Sequence, residues 1–150
     1  MIKKFLSLGL LALVVLSARS YAASFDQLNI SINNTSTNDC TLQKQIILYG
    51  HVSDHSQIPD VIFRDQTASF TMRSTRISVA SPYHKSILLT YACADNQEVT
   101  IFIDDLSAFV YGKVIELKNM AVNFTKQNSS AFYRSTPATI SWTLSSLSST

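Results

Sequence analysis

Ile87-Leu88-Leu89-Thr90-Tyr91-Ala92-Cys93-Ala94-Asp95-Asn96-Gln97-Glu98-Val99-Thr100-Ile101-Phe102-Ile103 is the stretch on which the fold class turns. Residues 87–93 are apolar on both faces when read with a period of two. That marks a central strand, or one lying beneath an extra layer. Ala94 to Gln97 then makes a tight connection. Asp and Asn suit such turns because their side chains bond the local backbone and they tolerate positive φ. From Glu98 onward, Val99, Ile101 and Ile103 alternate with Thr100 and Phe102. The segment from Cys93 to Ile103 is therefore predicted to be a β-hairpin.

The same period recurs outward from it. Leu28, Ile30 and Ile32 alternate with Asn29 and Ser31, and Ile46 and Leu48 with Ile47 and Tyr49. Phe70 and Met72, Ile77 and Val79, Val122 and Phe124, and Ile140, Trp142 and Leu144 repeat the pattern. Each run puts one face on a core and the other in water or under a second cover. Polar or proline-bearing connections separate the runs: Asn33 to Asp39, Gly50 to Asp60, and Ser81-Pro82-Tyr83-His84-Lys85. Asp104 to Phe109 has aspartates suited to the start of a helix turn, with Gly112 to end or kink it. The expectation is all-β: one antiparallel β-sandwich domain over residues 23–144, with about eight or nine short strands and at most one short helix. The Ser-rich tail, 145–150, is expected to fray.

The N-terminus has the three parts of an export tag. Lys3 and Lys4 are basic, Phe5 to Leu16 is apolar, and Ser20-Tyr21-Ala22 offers a cleavage site. The apolar run is shorter than the roughly 20 residues that span a bilayer. Residues 1–22 are therefore expected to be removed, with the protein periplasmic or secreted. The whole chain has 12 basic and 10 acidic residues. Lys3, Lys4 and Arg19 leave with the tag, so the basic excess leaves too. Lys113, Lys118, Lys126 and Arg134 are too scattered for the basic stripe that nucleic acid requires. Cys40 and Cys93 are the two cysteines, and in an oxidising compartment they are expected to form a disulfide.

Catalytic and cofactor signals are sparse. After processing only Gly50 and Gly112 remain, which argues against glycine-rich phosphate loops. No Gly-x-Ser-x-Gly elbow occurs. His51 and His55, with Asp54 and Asp60, offer metal-type donors, but they fall in a loop and read as a solvated loop. Asp104 and Asp105 are neighbours that would face opposite ways on a strand, which suits a strand end better than an acid–base pair. No catalytic residue, metal or cofactor is expected. Tyr83, Tyr111, Phe132, Tyr133 and Trp142 lie in or near loops and strand ends. Trp142 reads as core. Tyr83, His84 and Tyr133 are the candidate ligand-binding rim, since exposed aromatics suit sugars, lipid headgroups or proteins.

The run Ile30-Ser31-Ile32-Asn33-Asn34-Thr35, followed by Leu42, Gly50, Pro59, Ile62, Phe70 and Leu89-Thr90-Tyr91, resembles small secreted β-sandwich proteins of the actinoporin and aegerolysin type. The resemblance spans residues 28–105 and implies a sandwich that binds membrane lipid. It departs at Ser81 to Ser86, where that group carries a Gly-rich turn. Ala23 to Leu28 is also too short for the inserting helix of actinoporins. No functional residue is carried over. The expected function is an exported, non-enzymatic sandwich that binds a lipid headgroup, a glycan or a protein. The alternatives are an assembly subunit polymerising through a sheet edge, and a hydrolase with an unrecognised site.

Overall fold

A computed structural model describes residues 25–75, 83–106, 109–128 and 136–147. The export tag, the run around Ile77 and Val79, Phe132 and Tyr133 lie outside the described residues. Ten strands follow one another: β1 (Gln27–Asn34), β2 (Cys40–Tyr49), β3 (His51–Val52), β4 (Val61–Ile62), β5 (Gln66–Arg73), β6 (Lys85–Ala94), β7 (Gln97–Leu106), β8 (Phe109–Lys118), β9 (Met120–Gln127) and β10 (Ala138–Ser146). They form two five-stranded sheets, ordered β3-β5-β1-β10-β9 and β4-β2-β6-β7-β8. The sandwich is as expected, with two short additions. β3 and β4 are two-residue strands that extend the sheet edges. One pairing departs from the antiparallel rule, since β1 and β10 run parallel.

The hairpin forms where the alternation places it, with β6 and β7 joined through Asp95 and Asn96. Its turn works differently from expectation. Among the described non-glycine residues, positive φ occurs at Asp65, Asn119 and Asn128, not at Asp95 or Asn96. The ladder instead shifts register between Ala92 and Ala94. A bulge there adds the twist that a positive-φ turn would otherwise supply. Among the described residues of the span Asp104 to Phe109, the expected helix turn is replaced by strand. β7 runs on through Leu106 and β8 starts at Phe109. Cross-strand pairing of Asp105 with the buried Lys85 overrides the local helix-start signal. β10 continues through Ser146, where Thr35 and Thr37 meet Ser145 and Ser146 through their side chains.

The two inner faces make one core. Leu28, Ile30 and Ile32 meet Ile87, Leu89 and Tyr91, with Trp142 fully buried among them. Gly112 faces this core on β8. A Cβ there would sit 2.7 Å from Ile140 Cδ1 and 2.9 Å from Trp142 Cζ2, so the tryptophan occupies the space a side chain would need. At the far end of the core, Cys40 and Cys93 form a disulfide between β2 and β6, 53 residues apart in sequence. That bond fits an oxidising compartment.

The two outer faces differ in chemistry. On the sheet containing β1, outward positions of β5 and β1 include Thr67, Ser69, Thr71, Asn29, Ser31 and Asn33, aligned in register. Those of β10 and β9 are Thr139, Ser141, Thr143, Asn123, Thr125 and Gln127. All of these carry hydroxyl or amide groups, and Arg73, paired with Gln27 at the end of β5, is the charged residue that borders them. The outer face of the other sheet is polar and charged at the disulfide end, with Lys44, Glu98, Glu116 and Lys118, and apolar at the opposite end.

Candidate functional site

That apolar end is built by four strand termini meeting in register. β2 finishes at Tyr49 because the next residue, Gly50, turns the chain out of its sheet with φ +80°. A Cβ on Gly50 would lie 2.5 Å from the Arg73 carbonyl oxygen, so only glycine makes this corner without a shift. β6 starts beside Tyr49, β7 ends there and β8 begins there. Tyr49, Ser86, Asp104 and Tyr111 consequently form one row across the sheet. Ile46, Leu88, Phe102 and Lys113 form the row behind it, and Leu106 pairs with Phe109 at the tip.

Thirteen large apolar side chains are exposed among the described residues, and six of them belong to this end: Ile46, Leu48, Tyr49, Leu106, Phe109 and Tyr111. Phe109 is 66% exposed, and Tyr49 and Tyr111 about half. Such concentration differs from the single scattered apolar residues that any surface carries.

A polar pair sits within the patch. His84 stacks on Tyr49 with ring centroids 3.9 Å apart. Its Nε2 lies 2.7 Å from Asp104 Oδ1, with the N–H donating to the carboxylate. Both side chains are mostly covered. The support lies one layer down. Lys85 and Asp105 point into the core, completely buried, with Nζ 3.1 Å from Oδ2. The same ammonium donates to the carbonyl oxygens of Phe25 and Tyr83 at 2.6 and 2.8 Å. Three acceptors match the three donors of an ammonium, which is the condition under which a buried charge is tolerated. Lys85 thereby ties the chain at Tyr83 to the end of the sheet and sets the position of His84. Tyr83 packs against Phe25, with ring planes tilted by 37° and centroids 6.0 Å apart.

The structure places His84 in this patch and Tyr83 beside it against Phe25, and Tyr133 lies outside the described residues. It adds Tyr49, Asp104, Leu106, Phe109 and Tyr111. Tyr111 carried a signal as an aromatic near a strand end. Tyr49 and Phe109 carried none, because they read as ordinary strand and helix positions. The adjacent aspartates do point to opposite faces, Asp104 to His84 and Asp105 to Lys85.

The histidine-bearing loop is elsewhere. His51 and His55 are exposed, and His51 Nδ1 lies 3.4 Å from Thr75 Oγ1. Among the described residues no three His, Cys, Asp or Glu side chains are placed to hold a metal ion. Pro59 in this loop accepts a hydrogen bond from the Tyr91 hydroxyl at 2.9 Å. Burial, with a smaller contribution from the nearby Asp60 charge, pushes the Tyr91 phenol well above its ordinary range.

A two-sheet, disulfide-linked β-sandwich with an aromatic rim at one end is the class this geometry defines. Among solved structures it is similar to the crystal structure of the lipid-binding protein Nakanori, with a TM-score of 0.58 and 11% identity over 79% of this chain and 70% of that one. At that identity the likeness concerns the fold. No protein-family model and no curated protein matches the chain.

Proposed function

We propose that this protein is an exported, non-enzymatic β-sandwich that docks on a lipid surface through the rim formed by Tyr49, His84, Leu106, Phe109 and Tyr111. The observation that carries the reading is the gathering of six exposed apolar side chains at this one end. Tyrosines with an apolar body and a polar tip suit the bilayer interface. The lipid-binding character of a structural neighbour supports the reading at the level of the fold. The tag-like residues 1–22 and the disulfide support export. Charge selects the surface. Asp104 is hydrogen-bonded to His84 and is matched by Lys113, the one basic residue in these two rows. A rim so nearly balanced suits zwitterionic headgroups better than strongly anionic ones.

Co-sedimentation with phosphatidylcholine vesicles tests this. The protein is expected to pellet with them, and added phosphatidylglycerol is expected not to strengthen binding. Phe109→Ser and Tyr111→Ser should each weaken partitioning roughly tenfold, since each withdraws about 1–2 kcal/mol of apolar burial. Absence of binding, or binding indifferent to both changes, would refute the assignment.

A further inference from the structure

The sheet containing β1 carries a surface that lipid docking does not use. Its outer face is a three-by-four array of Ser, Thr, Asn and Gln side chains across β5, β1, β10 and β9. Neighbouring strands space the array by about 4.8 Å, and alternate residues along a strand by about 6.7 Å. All twelve positions are neutral in a chain that is 15% charged, with Arg73 at their border. Each hydroxyl or amide both donates and accepts. Part of this capacity is used between strands, as in Thr71 Oγ1 donating to Asn29 Oδ1 and Ser69 Oγ donating to Ser31 Oγ. Thr67 Oγ1 likewise donates to Asn33 Oδ1 at 3.2 Å.

The array ends in a cleft of about 360 Å³, within the size range of small-molecule sites. Asn29, Ser69 and Thr71 lie on its sheet side, with Arg73 among its lining residues, and Ser53, His55 and Ser56 wall it from the loop. That wall is held in place. Ser53 N donates to the Thr71 carbonyl at 2.9 Å, and Thr71 N donates to Ser56 Oγ at 2.8 Å.

We infer that the array and its cleft bind a soluble, neutral polysaccharide, one sugar unit seated in the cleft and the chain continuing over the sheet. Three observations select this ligand. A neutral face with mixed donors and acceptors matches sugar hydroxyls and gives a polyanion no counter-charge beyond Arg73 and His55. The right-handed twist of a sandwich sheet turns successive strands by about 20–25°, so a flexible chain can follow the face where a planar crystalline surface cannot. The array also lies on the sheet opposite the apolar rim, so a bilayer held at the rim would not present its headgroup sugars here.

Affinity electrophoresis through native gels containing dextran, pullulan, xyloglucan or galactomannan tests the inference, with alginate as the anionic contrast and polysaccharide-free gels as the mobility reference. Retardation is expected in at least one neutral gel. Ser141→Lys, which places a charge in the middle of the array, should weaken it at least tenfold. Asn29→Ala, which removes an amide between array and cleft without adding charge, should weaken it at least threefold. Tyr111→Ser should leave it unchanged, which separates this site from the lipid rim. No retardation in any neutral gel, equal retardation of both array variants and the unaltered protein, or stronger retardation by alginate would each overturn it.

Discussion

Lys85 is where the rim meets the core. Its ammonium is buried with Asp105 and holds two backbone carbonyls. Removing one member of such a pair strands the other charge in a medium that solvates it poorly. Lys85→Met is therefore expected to destabilise the protein by about 3–5 kcal/mol. Adding Asp105→Leu to that variant should recover a large part of the loss, because no charge then remains buried. Urea unfolding of the two single variants and the double variant closes the cycle. Strictly additive losses would show that the two groups do not act as a pair. The cycle also separates stability from position. If Lys85 sets the place of His84 through the Tyr83 carbonyl, the double variant should fold yet show altered stacking of His84 on Tyr49, visible in their ring proton shifts.

At the scale of elements, the β6–β7 hairpin was legible because alternation is local: Val99, Ile101 and Ile103 point inward whatever else the chain does. Sheet order was not legible. β1 pairs with β10 although more than a hundred residues separate them, and no periodicity records which strands become neighbours. The rim was half legible for the same reason. Tyr83 and His84 follow Pro82 in a recognisable turn, whereas Tyr49 and Phe109 join them only through the register of four strands. The loop from Ser53 to Asp60 shows how two strands hold a connection down. Tyr91 of β6 donates to the Pro59 carbonyl, and Leu42 N of β2 donates to the Asp60 carbonyl. The raised Tyr91 ionisation gives this contact a pH signature. The unfolded chain loses the phenolic proton near its ordinary pKa of about 10, while the folded chain keeps it to higher pH. The contribution is thus complete below about pH 10 and lost as pH rises beyond it, by at most about 1.4 kcal/mol per pH unit. Tyr91→Phe should cost about 1 kcal/mol at pH 8 through the lost hydrogen bond. It should also decline less steeply than the unaltered protein between pH 10 and 11 in urea midpoints. Parallel declines would remove Tyr91 from the account.

For the molecule as a whole, β6 sets an axis about 30 Å long, with the disulfide at one end and the rim at the other. The two ends should therefore be separable by experiment. The bridge closes a loop of 53 residues, for which the chain-entropy account gives about 4 kcal/mol of stabilisation through the unfolded state. That is a large share of the roughly 5–15 kcal/mol by which domains are stable. Reduction with dithiothreitol is expected to lower the urea midpoint by roughly 2–3 M, taking a denaturant slope of about 1.5–2 kcal/mol per molar. A shift below about 0.5 M would mean that the sheets hold together without help from the bridge. The rim should not feel the change. Its residues are fixed by Gly50, by the Lys85–Asp105 pair and by strand register, all remote from the sulfurs. Reduced protein that remains folded, at low temperature and without urea, is therefore expected to partition onto phosphatidylcholine vesicles as the oxidised protein does. Loss of partitioning on reduction, with the circular dichroism spectrum unchanged, would show that the two ends are coupled through the sheets.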